Sequence, residues 1–117
     1  MSIFVKTKSP ALLIERIKAE IEKGSIVTWS IDSDGDFTHT AEQWKYQAWI
    51  RAKVEPERVV FFIICRNDKD LSVEDYGIYH GRFTELLLNH FDKDCDSIEV
   101  TPLATSYDSV KANHKNS

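Results

Sequence analysis

A chain of 117 residues with 42% hydrophobic and 29% charged side chains holds enough apolar material for one packed domain, which excludes a disordered or fibrous polypeptide. The formal net charge is −4, and the 15 Lys and Arg residues are dispersed rather than gathered in a basic stripe. That distribution argues against a nucleic-acid binder, which needs local positive charge to displace counterions from phosphate.

The first ten residues, "MSIFVKTKSP", lack a basic segment followed by a long apolar one, so they do not read as a signal peptide. Within them "IFVKT" is a short strand. "SPALLIERIKAEIEKG" is the clearest helix: Ser9 stands at the cap, Pro10 at the first helical position, and Leu13, Ile14, Ile17 and Ile21 form an apolar stripe ending at Gly24. "SIVTWSI" alternates, with Val27, Trp29 and Ile31 on one face. "DSDGD" turns the chain into "FTHTA", which places Phe37, His39 and Ala41 on a shared face.

Residues 42–54 fit two templates. Trp44, Ala48 and Ala52 have helical spacing, whereas Ala48, Ile50, Ala52 and Val54 alternate as a strand with Trp49, Arg51 and Lys53 opposite. The short "EPER" link to "VVFFIIC" favours a strand from Ala48, antiparallel to its successor. "VVFFIIC", Val59 to Cys65, is apolar throughout; it is too short to span a bilayer and reads as a strand covered on both faces. Ser72 then caps a second helix running to about Phe91, "SIEVTPL" makes a last strand, and residues 104–117 read as a polar tail after a single domain of residues 1–103.

The order β-α-β-β-β-β-α-β predicts an α+β domain, an antiparallel sheet of four to six strands with two helices on one face. The other face then needs cover, from the tail, a second subunit or a partner. The expectation drawn from this is a homodimer with Trp49 and Arg51 at or near its interface, since an exposed apolar sheet face exceeds what monomers commonly tolerate.

Motifs for chemistry are sparse. "DSDGD" alternates Asp32, Asp34 and Asp36 around Gly35, but the glycine and a later glutamate are not at calcium-loop spacing, and a hairpin turn accounts for the composition. The four histidines have no metal-ligand spacing, so no metal or cofactor is expected. Cys95 lies among aspartates that raise its pKa, and the two cysteines make no disulfide framework. The remaining signal is "YGIYHGR". Gly77 and Gly81, one helical turn apart, predict a close backbone approach, with His80 a core histidine beside it. The alternative is a small polar pocket in which Tyr79, His80 and Arg82 meet His39 from the sheet to hold an anion or move a proton.

Two functions follow as expectations. The first is a non-enzymatic, cytoplasmic binding or regulatory protein acting by protein–protein contact, comparable in size and acidity to immunity and inhibitor proteins by analogy only. The second is a ligand-binding domain or small enzyme built on His39, Tyr79, His80 and Arg82.

Overall fold

A computed structural model describes residues 2–111. It contains β1 (Ile3–Lys6), α1 (Pro10–Glu22), β2 (Trp29–Ile31), β3 (Phe37–His39), β4 (Ala48–Glu55), β5 (Arg58–Cys65), α2 (Val73–His90) and β6 (Ser97–Val100), with one 3₁₀ turn at Asp92–Asp94. The strands form one six-stranded sheet in the order β2-β3-β4-β5-β1-β6, every neighbouring pair antiparallel. This is the α+β architecture and element order that the sequence predicts.

The ambiguous segment resolves at Ala48, where the strand begins. β4 and β5 pair along their full length, from Ala48 opposite Cys65 to Glu55 opposite Arg58. The tight link sets Glu57 at a φ of 62° after Pro56. Alternation then sorts the side chains. Ala48, Ile50, Val59, Phe61 and Ile63 join Ile3 and Val5 in the core, covered by Leu13 and Ile17 of α1 and by Tyr79, Phe83, Leu86 and Leu87 of α2. Phe83 sits at the centre, its ring centroid 4.8 Å from Phe61, 5.2 Å from Trp29 and 5.4 Å from Phe37.

Helix starts follow two routes. Ser72 caps α2 by accepting the amide of Asp75 at 3.0 Å. Ser9 makes no such bond, and α1 begins with Pro10, which has no amide hydrogen to satisfy.

Packing continues past residue 103, and residues 105–110 of the polar segment are docked on the sheet. Opposite the amino end of β1, strand β5 runs on past Phe61, and the segment around Ser109 takes up the vacant edge. Ser109 donates to the carbonyl of Ile63 at 2.9 Å and accepts from the amide of Cys65 at 2.8 Å, a parallel bridge beside β5. Asp108 Oδ1 accepts the Ile63 amide at 2.9 Å, and its other oxygen accepts from Ser2 Oγ at 2.9 Å and from the Thr105 amide at 2.8 Å. On the face away from the helices, Tyr107 lies 6.0 Å from both Phe4 and Phe62 and donates to Glu55 at 2.7 Å. The second face of "VVFFIIC" is thus partly covered by the chain itself. His114 lies outside the described residues.

Candidate functional site

The four residues expected to form one pocket separate into two environments. Tyr79 is fully buried; its hydroxyl donates to the Trp44 carbonyl and lies 3.3 Å from Thr38 Oγ1. His80 is also buried, with Nδ1 2.8 Å from the Tyr76 carbonyl, so Nδ1 carries the ring proton and Nε2 is left without a partner. Burial pushes the His80 pKa down, against opposing contributions from that carbonyl and from Asp108. His80 is therefore a sealed core histidine and does not face His39.

His39 and Arg82 do share a cleft. It encloses about 300 Å³ between the outer turns of α2 and the β2–β3 hairpin, closed at one end by the loop that carries Gln43 and Trp44. His39 Nδ1 accepts the Ala41 amide at 3.1 Å, which fixes the tautomer and leaves the ring proton on Nε2. The ring is wedged against Trp29 at 5.2 Å and Tyr79 at 6.2 Å. Burial first, then the charge of Arg82, lowers the His39 pKa, so the imidazole is neutral near pH 7. Arg82 itself is half exposed and 3.5 Å from Glu85. Asn89 and His90 complete the polar lining. Gln43, four residues after His39, and Asn89, two helical turns after Arg82, belong to no motif that marks them in sequence.

Gly77 and Gly81 are not a packing seam. A Cβ added at either would meet nothing within 4 Å, and both face solvent on the outer side of α2. The close backbone approach expected from their spacing is therefore absent.

A second feature lies on the sheet face opposite the helices. A groove of about 590 Å³ runs between the DSDGD turn, β4 and the residues after β5. Its floor carries Trp49 and Ile64, both half-buried, and Tyr46, 53% exposed, whose ring stacks on Trp49 with centroids 6.5 Å apart and planes 21° from parallel. Tyr46, which belongs to no pattern in the sequence, adopts a φ of 60°. The rim holds Asp32, Asp34, Asp36 and Asp68. Arg51 grips Asp36 through two bonds of 2.9 and 2.8 Å, and Arg66 grips Asp68 through bonds of 2.9 and 2.8 Å.

The three turn aspartates bring carboxylate oxygens within 4.8 Å of one another. Two of them have structural work there. Asp32 Oδ1 accepts the amides of Asp34 and Asp36, each at 2.9 Å, and Asp36 anchors Arg51. Gly35 takes a φ of 83°, as the turn requires. The thiols offer no nucleophile: Cys65 is buried, and Cys95 is raised to about 11, by burial first and then by Asp94, Asp96 and Asp92. Among the described residues no helix is long and apolar enough to cross a membrane.

Comparison with models of protein families, with curated proteins and with solved structures returns no match to this chain.

Proposed function

We propose that the chain is a non-enzymatic, cytoplasmic binding protein that takes a basic segment of a partner protein on the outer face of its sheet. The observation that carries this reading is the exposed Tyr46–Trp49 stack set inside an acidic rim. Aromatic pairs of this kind supply large contact area at little cost in side-chain entropy. Four rim carboxylates against two guanidinium groups leave a net charge of −2, so electrostatic steering favours a cation-bearing partner. The Tyr46 ring already accepts an ammonium, that of Lys45, 5.0 Å from its centroid.

A second copy of the chain is the other occupant this face can take, as the dimer expectation holds. Two acidic rims would then face each other across a two-fold axis, and the docking of Tyr107 has removed part of the apolar area that called for self-association. The enzyme alternative loses its proposed histidine pair, because His80 is sealed from the cleft that holds His39.

A photo-reactive amino acid placed at Tyr46 in cells, with the same group at exposed Leu88 as control, tests the reading. The expected product is a cross-link to a basic protein that is absent from the Leu88 control. Binding of that purified protein should weaken about tenfold in Trp49→Glu, and also in the double variant Asp32→Asn, Asp34→Asn. Cross-links to the chain itself, with light scattering at twice the chain mass, would replace the basic partner with a homodimer. Equal labelling from both positions would remove this face from consideration.

A further inference from the structure

The cleft beside α2 differs in character from the outer-face groove. Hydrogen-bond donors and apolar walls line it together: His39, its proton on Nε2, comes from the sheet, Arg82 and Asn89 come from α2, and Trp29 and Trp44 form the walls. His39 is built in rather than decorative. It is 7% exposed, its Nδ1 is committed to the Ala41 amide, and aromatic rings hold its plane. That leaves one fixed donor aimed from a nearly dry position, with a permanent cation alongside. Among the described cleft residues the only carboxylate is Glu85, which lies 3.5 Å from Arg82, is itself half exposed and sits on the open side of the helix. Its hold on Arg82 is that of a surface pair, worth little and readily exchanged for a better-placed anion.

We propose that this cleft is a binding site for a small organic monocarboxylate, its carboxylate held by Arg82 and the Nε2–H of His39 and its apolar part lying against Trp29 and Trp44. The charge requirement comes from Arg82, which offers a planar pair of donors suited to a carboxylate. The size limit comes from the volume: about 300 Å³ is at the small end of ligand pockets and admits one ring or a short branched chain. A ligand with two carboxylates would set its second charge against Glu85 or the indoles. The neutral state of His39 suits the role, since the site then needs no proton uptake to present its donor.

The three tryptophans make the test local. Trp29 and Trp44 line this cleft, whereas Trp49 belongs to the outer-face groove. Benzoate should move the indole N–H resonances of Trp29 and Trp44 saturably and leave that of Trp49 in place. Benzamide, its neutral counterpart, should do neither, and acetate should bind more weakly than benzoate. Arg82→Gln, at a half-exposed position that the fold does not need, should weaken benzoate by about tenfold. Glu85→Gln should tighten it by about twofold, by releasing Arg82. No saturable shift with benzoate up to ~10 mM, equal shifts with benzamide, or an unchanged affinity in Arg82→Gln would each overturn the assignment. None of these outcomes touches the outer-face reading, which stands or falls on Trp49 and Tyr46.

Discussion

His80 shows what a buried titratable group does when one of its two nitrogens has no partner. Its Nδ1 proton goes to the Tyr76 carbonyl, while Nε2 is dry and unbonded. An unsatisfied buried acceptor costs about 1–3 kcal/mol. Leucine fills much of the same space without that loss, so His80→Leu should raise stability by about 1 kcal/mol near pH 7.5, read as a higher urea midpoint. The pH dependence has a definite sign. Burial lowers the folded pKa below the unfolded value near 6.5. An unfolded chain therefore takes up a proton as the pH falls through that value, while the folded one does not, and the native state loses stability on the acid side. The advantage of His80→Leu should grow between pH 7.5 and 5.5. An advantage that is constant or shrinking over that range would show that His80 gains a proton, and a partner, in the folded state.

At the scale of elements, α2 has one face in the core and another that holds two glycines open to water. A glycine inside a helix costs about 1 kcal/mol relative to alanine, and nothing at Gly81 would obstruct a methyl group. Gly81→Ala should stabilise the protein by roughly 0.5–1 kcal/mol, and chemical denaturation would measure it. A loss instead would show that the space beside Gly81 is not open in the folded protein. The strands were easier to read in sequence than this helix. Alternation located Ala48 and Ile50 facing inward, because period two leaves only two choices of face. The helical pattern places His80 on the core face, but it does not tell what stands opposite His80 or Gly81. His80 meets a sealed wall and Gly81 meets solvent, and that distinction is made by elements distant in sequence. The same limit hid the cleft. His39 and Arg82 are each legible as polar residues near a core, yet the fold alone brings the segment of His39 and Gln43 against the turns of α2 that carry Arg82 and Asn89.

For the whole molecule, residues 105–110 decide how the sheet is closed. Composition marks them as a tail, since only Tyr107 and Val110 are large and apolar. Their hold is instead polar and directional: Asp108 and Ser109 satisfy the backbone of Ile63 and Cys65 in a strand that has run past its neighbour. Hydrogen bonds of this type leave no periodic trace in sequence, so composition does not reveal that the segment docks. Truncation after Ala104 should strip partners from these amides and uncover Phe62, at a cost of about 3 kcal/mol or more. A fall of roughly 10 °C in the melting temperature is expected, and calorimetry would detect it. A shift of only a degree or two would show that water replaces those bonds without loss.

The position of β1 between β5 and β6 has a kinetic consequence. β1 is the first strand along the chain, yet its partners are residues 58–61 and 97–100, and Ser2 is tied to Thr101, Thr105 and Asp108. The hairpins β2–β3 and β4–β5 close over short loops, at small entropic cost. Every strand pairing of β1 closes a loop of more than fifty residues. Such distant pairings delay the barrier crossing, since the chain must be ordered before they return any energy. The strand that begins the sequence thus joins the sheet late and carries the edge strand β6 in with it, since β6 pairs with β1 alone among the described strands.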